Sequence, residues 1–153
     1  LAKAKEVNDM IIIKKILQEY KNYAMNLSFI PINNEKCRNW LFNNSENNGL
    51  LSLKIYQASS LKEPEKNIGS IGVLVFKDKA LYLFGFTNDM GRKFQANTLL
   101  LWHAIIDSKK KGLKEFDLGG FNKKTPNGIK KFKEGLNGRI IETLGEYIYI
   151  GFF

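Results

Sequence analysis

Between residues 5 and 24 the apolar side chains Val7, Met10, Ile11, Ile13, Leu17, Tyr20 and Ala24 recur at intervals of three and four. That is the period of a helix with one buried face. Pro31 prevents this helix from continuing, and Asn33 or Asn34 is placed to cap a second one. The second helix carries Cys37, Trp40 and Leu41 on one side and stops at Asn47-Asn48-Gly49. From Leu51 the period falls to two, with Leu51, Leu53 and Ile55 on one face and Ser52, Lys54 and Tyr56 on the other, which predicts a strand. The polar stretch from Ser59 to Asn67, which contains Pro64, reads as a surface loop. Gly69 to Phe76 and Ala80 to Phe86 are then two β-rich runs separated only by Lys77-Asp78-Lys79. So short a link forces an antiparallel hairpin, and the three strands form a meander.

A long helix follows from Thr98, with Asn97 as its expected cap and Leu99, Trp102, Ile105 and Ile106 expected to face the sheet. It ends in Lys109-Lys110-Lys111-Gly112 and feeds a short strand, Leu113 to Leu118. Gly119 and Gly120 come next, then a loop from Phe121 to Asn127 and a short helix beginning at Gly128. Two strands, Arg139 to Thr143 and Glu146 to Phe152, close the chain. The predicted order is ααβββαβαββ, one α/β (α+β) domain over residues 1–153. A glycine pair directly after a buried strand lets a ligand approach the backbone, so the candidate site is placed there.

Those residues carry a family resemblance. The ordered set Leu99-Leu100-Leu101-Trp102, Gly112, Phe116-Asp117-Leu118-Gly119-Gly120, Gly128-Ile129 and Phe132-Lys133 resembles the C-terminal signature of the FemABX family. Its members are the peptidoglycan bridge aminoacyltransferases, built from domains of the GNAT acyltransferase fold. The resemblance implies a GNAT-like domain, here without its first strand, whose mixed and mainly antiparallel sheet is flanked by helices. It implies transfer of an aminoacyl group from aminoacyl-tRNA to an amine acceptor such as a peptidoglycan precursor. Family members have two such domains, and residue 1 is Leu, so the chain is expected to be an excerpt whose partner is a second GNAT-like domain. Phe132 and Lys133 fall on the family's Phe-Lys pair, in which the lysine serves donor binding and transfer. Asp117 falls on the aspartate before the glycine pair. Gly119, Gly120, Asn122 and Gly128 complete the implied substrate-binding positions.

Charge adds to this picture. A formal net charge of +9 favours an anionic partner such as tRNA, a nucleotide phosphate or an acidic lipid. The chain is also rich in Asn, Ile and Lys together, a composition that inflates lysine without any partner. The single cysteine, Cys37, leaves no intrachain disulfide and fits a reducing compartment. A cytoplasmic protein, peripheral at most at the inner membrane face, is expected. One cysteine and one histidine cannot build a usual zinc site, so no metal is expected, and no apolar run is long enough to span a bilayer.

Each candidate group has a chemical reading and a plainer one. An amine attacking an ester carbonyl drives negative charge onto the carbonyl oxygen, which a fixed cation such as Lys133 would stabilise. The plainer reading makes Lys133 one of several solvated lysines beside Lys130 and Lys131. Acetyl-CoA-dependent relatives of the fold place a tyrosine near Phe132 to protonate the leaving thiolate, and phenylalanine has no proton to give; packing alone also accounts for an aromatic here. Those relatives usually carry a Gln/Arg-x-x-Gly-x-Gly/Ala loop at a helix N-terminus for the pyrophosphate. This chain has Asp89-Met90-Gly91-Arg92-Lys93-Phe94-Gln95, with one glycine, leaving Arg92 as the phosphate candidate. Asp117 either orients the acceptor amine or accepts backbone amides of the following loop. His103 and Cys37 read as packing or surface residues. No cofactor is expected beyond the aminoacyl-tRNA co-substrate; an acyl-CoA-dependent N-acyltransferase and a non-catalytic RNA- or partner-binding domain are the alternatives.

Overall fold

The computed structural model describes residues 2–26, 51–121 and 125–142. The chain falls into two compact units, 1–119 and 120–153.

The first unit opens on a strand, β1 (Ala2–Val7), followed by helix α1 (Met10–Asn26). The sequence reading ran the helix back through Val7 and left the sheet without its first strand, and both points are corrected. The reason is Asp9, whose Oδ1 accepts the backbone N–H of Ile11 at 2.8 Å and of Ile12 at 3.3 Å. A carboxylate satisfying the first amides of a helix fixes its start and releases the residues before it. Val7 then sits opposite Ile55 on the neighbouring strand and joins the same core as Ile13 and Ile16, so its apparent helical spacing is tertiary packing.

The strands β2 (Leu51–Ser60), β3 (Asn67–Phe76), β4 (Lys79–Thr87) and β5 (Glu115–Asp117) complete a sheet in the order β1-β2-β3-β4-β5. The first three pairings are antiparallel and the last is parallel, which gives the mixed, mainly antiparallel sheet expected. Helices α2 (Asp89–Lys93) and α3 (Ala96–Lys110) make the crossover between β4 and β5. One face of the sheet packs on α1 through Val7, Ile13, Ile16, Ile55 and Phe84, with the Tyr20 ring stacked on Phe84 at 4.4 Å between centroids.

The other face packs on α3, with a correction to which residues are buried. Ala96, Leu100, Leu101, Ala104 and Ser108 are buried, whereas Trp102 is 53% exposed and Ile106 45%. Four consecutive large apolar residues, Leu99 to Trp102, leave the helical period unable to choose a face. The small residues Ala96, Ala104 and Ser108 choose it, because a helix settles where its backbone can approach the sheet most closely. The cap is Gln95 in the left-handed region (φ 53°) in place of Asn97.

A polar clasp holds β1, β2 and α3 together. The buried Tyr56 donates its hydroxyl to Asp107 Oδ2 at 2.7 Å, and Lys111 Nζ donates to the same oxygen at 2.7 Å and to Glu6 Oε2 at 3.0 Å. Burial and the adjoining Asp107 carboxylate push the Tyr56 phenol above its ordinary value. Burial acts to raise Asp107, but the hydrogen bonds from Lys111 and Tyr56 together outweigh it, and the carboxyl lies below the ordinary carboxylate value.

In the second unit α4 (Asn127–Glu134) is regular and has no fully buried residue, and Arg139 to Glu142, expected as the start of a strand, follow irregular backbone. The expected second helix, the final strand and Asn122 lie outside the described residues.

Candidate active site

Two turns leave the sheet toward helices, one after β4 and one after β5. In the first, Asn88 closes on itself. Its Oδ1 accepts the Gly91 N–H at 2.9 Å, its Nδ2 donates to the Asn67 carbonyl at 3.1 Å, and its backbone N–H donates to Ile68 O at 3.2 Å. Gly91 is there for packing, since a Cβ at this position would lie 1.9 Å from Ile68 O. Arg92, the phosphate candidate of the sequence reading, donates Nη1 to Thr87 O at 3.0 Å and pairs Nη2 with Asp89. The guanidinium therefore holds the turn's own acid and carbonyl. An amide already taken by Asn88 and a carboxylate at the helix start are the reverse of what a pyrophosphate needs.

β4 and β5 diverge within the first unit. Register runs only from Lys79 opposite Glu115 to Leu81 opposite Asp117. On the β3 side of β4, Gly72 faces Phe84 and Val73 faces Tyr82, so Leu83 is an extra residue and the strand bulges just past the point where β5 ends. From Tyr82 onward β4 has no strand beside it on the β5 side among the described residues.

After β5 the chain turns on Asp117, whose Oδ1 accepts the Gly119 N–H at 2.7 Å. Gly119 takes a left-handed φ of 73°, which costs most side chains about 1–2 kcal/mol and explains the glycine. Gly120 differs: a Cβ built there meets nothing within 4 Å.

The second unit begins at Gly120, and there Lys133 of α4 donates Nζ to the Gly120 carbonyl at 2.9 Å. Lys130, one turn earlier, places its ammonium 5.6 Å from the centroid of the Phe121 ring and 3.8 Å from Glu134 Oε1. Lys131 is exposed, Phe132 is half-buried, and Gly128 lies in the first turn of α4 with open space where a Cβ would be. Of the residues singled out in the sequence, Lys133 and Gly120 are brought into contact, Asp117 and Gly119 form one turn, and Arg92 is committed to the turn after β4. Phe121 was not singled out in the sequence, and Lys130 was named there only as a lysine beside Lys133. Its spacing of three from Lys133 puts both on one side of the helix.

Among the described residues no cluster of His, Cys, Asp or Glu could hold a metal ion, and no helix is long and apolar enough to cross a membrane.

A strand, a helix, a meander with a bulged fourth strand and a crossover to a diverging parallel strand define a domain of the GNAT fold. Solved structures agree: an aminoglycoside acetyltransferase from an uncultured soil metagenomic sample, in complex with sisomicin, matches with TM-score 0.69 at 13% identity over 97% of this chain and 95% of its own. A putative acetyl transferase from Pyrococcus furiosus matches with TM-score 0.65 at 17% identity over 97% of this chain and 100% of its own. A predicted acetyltransferase with acetyl-CoA from Clostridium acetobutylicum matches with TM-score 0.60 at 16% identity over 99% and 96%. A search of curated proteins gives no match. The chain belongs to the FemAB family, whose profile matches residues 13–150. It is an acyltransferase by that membership, as the resemblance in the sequence implied.

Proposed function

We propose that this protein transfers an aminoacyl group from aminoacyl-tRNA to the amine of a peptidoglycan precursor. The observation that carries this reading is the filled turn after β4: Asn88 occupies the Gly91 amide and Asp89 sets a negative charge where a nucleotide pyrophosphate would dock. A charge of +9 on the whole chain suits a polyanionic donor. Phe132 offers no proton to a thiolate, whereas an ester-linked donor leaves as a ribose hydroxyl.

The reaction needs little from the protein beyond placement and charge. The acceptor nitrogen adds to the ester carbonyl carbon, and the carbonyl electron pair moves onto oxygen. The new C–N bond stays as the ester C–O bond breaks, and the departing ribose oxygen takes up the proton that the amine gives up. Lys133 supplies positive charge on the Gly120 side of the site and lowers the energy of the oxyanion. Asp117 shapes the backbone turn that follows it, Gly119 supplies that turn's left-handed φ, and Gly120 and Gly128 each leave open space where a Cβ would stand. Asn122 and Phe132 are supporting positions on this reading, and Arg92 serves the fold of the turn after β4. The protein acts in the cytoplasm, at the inner membrane face where its acceptor resides, with a second GNAT-like domain completing the cleft. A reconstituted assay with charged tRNA and a lipid- or nucleotide-linked peptide precursor tests this, and absence of transfer alongside saturable acetyl-CoA binding would overturn it.

A further inference from the structure

Lys133 reaches the Gly120 carbonyl, and that fixes the N–H at the other end of the same peptide group. A trans peptide unit is planar and points its N–H away from its C=O. No cis peptide occurs among the described residues. Holding the Gly120 carbonyl toward α4 at 2.9 Å therefore aims the Phe121 N–H to the opposite side of the same plane. That N–H has no hydrogen-bond partner among the described residues. The neighbouring Gly120 has only open space where a side chain would stand, so nothing from the preceding residue screens it. The Phe121 ring is itself held, with the Lys130 ammonium 5.6 Å from its centroid. The residue is thus fixed on both sides by two lysines of one helix.

We infer that the Phe121 backbone N–H is a catalytic donor to the oxygen of the ester carbonyl under attack, and that Lys133, beyond the charge it brings to the site, locks the Gly120–Phe121 peptide plane. This rests on the acyl-transfer reading above. As the amine adds, the electron pair displaced onto the carbonyl oxygen receives the Phe121 hydrogen bond; when the pair returns, the ester C–O bond breaks and the amine proton ends on the leaving oxygen. A backbone donor fixed beforehand does not have to reorganise as the charge appears, and this is what makes such donors effective.

The test compares Phe121→Pro, which removes the N–H, with Phe121→Ala, which keeps it and calibrates loss of the ring. Single-turnover rates and donor KM are measured on the intact protein, with circular dichroism as a check on folding. Phe121→Pro is expected to transfer about 10²–10³-fold more slowly than Phe121→Ala, with KM for the aminoacyl donor little changed. The double variant with Lys133→Met should lose far less than the product of the two single losses, because both act through one peptide group. If Phe121→Pro does not fold, an ester in place of the amide at residue 121 makes the same comparison with the ring kept. Equal rates for the proline and alanine variants, or fully multiplicative losses in the double variant, would overturn the inference while leaving the transfer reading intact. Failure of the wild-type protein to transfer at all would overturn the reading beneath it.

Discussion

The two turns that leave the sheet use glycine for opposite ends. After β4, Gly91 is crowded: its amide is taken by Asn88 and its missing Cβ makes room for the Ile68 carbonyl. After β5, Gly119 is needed for its backbone angle and Gly120 for nothing that the protein itself occupies. The first turn is closed by its own side chains, and the second is open beside a lysine. An anionic phosphate would meet a filled turn with a carboxylate at its start, whereas on the proposed reading a carbonyl oxygen would meet charge and space at Gly120. The contrast separates a glycine required for packing from one whose Cβ position stays open, which the residue type alone does not reveal.

The largest expected effect lies at the second turn. Lys133→Ala should lower transfer by about 10²–10³-fold, roughly 2.7–4 kcal/mol for one lost electrostatic contributor, with an unchanged circular dichroism spectrum. Lys131→Ala should be nearly silent and Lys130→Ala intermediate; equal small losses at all three in a single-turnover assay would reduce the site to a diffuse basic surface. Next comes the crowding difference. Gly91→Ala forces a methyl onto a backbone carbonyl and should cost about 1–3 kcal/mol in urea unfolding. Gly120→Val should leave the unfolding midpoint within about 0.5 kcal/mol of wild type yet impair transfer. A Gly120 variant with full activity would remove that turn from the site.

A smaller effect belongs to Asn88→Ala, which deletes a helix cap and should cost about 1 kcal/mol without creating acetyl-CoA binding, checked by denaturation and calorimetry side by side. The smallest is the pH response of the clasp. Asp107 is held below its ordinary value of 3.8, so its contribution is complete above that pH and fades as pH falls through the lower folded value. Tyr56 is raised above its ordinary value of 10.0, so its contribution is complete below that pH and fades as pH climbs beyond it. Urea midpoints across pH should show a plateau between these limits, and Asp107→Asn should lower the plateau while flattening the acid limb.

The meander, the hairpin at Lys77 to Lys79 and the crossover helix were all legible because period and turn chemistry are local. β1 was not, since Ala and Lys alternating from Ala2 to Lys5 carry little apolar signal and Val7 falls in step with the helix beyond it. Asp9 held the clue, as a side chain able to cap a helix at Met10. The buried face of α3 was illegible for a different reason: its large residues point all round, and only contact with the sheet selects Leu100 and Leu101 with the small Ala96, Ala104 and Ser108. At the site, the turn made by Asp117 followed from residue type. The bond from Lys133 to Gly120 did not, because it joins residues thirteen positions apart across a loop. Arg92 looked available only because its partners Asp89 and Thr87 are set by the shape of the turn.

The most direct measurement offers the protein two donors for one amine acceptor, aminoacyl-tRNA and acetyl-CoA, and follows product formation in parallel with calorimetric binding of each. Transfer of the aminoacyl group, with no saturable binding of acetyl-CoA, is the predicted result. Micromolar acetyl-CoA binding with robust acetylation of the acceptor would contradict it, and would mean that the turn after β4 opens to admit the phosphates that Asn88 and Asp89 are here taken to exclude.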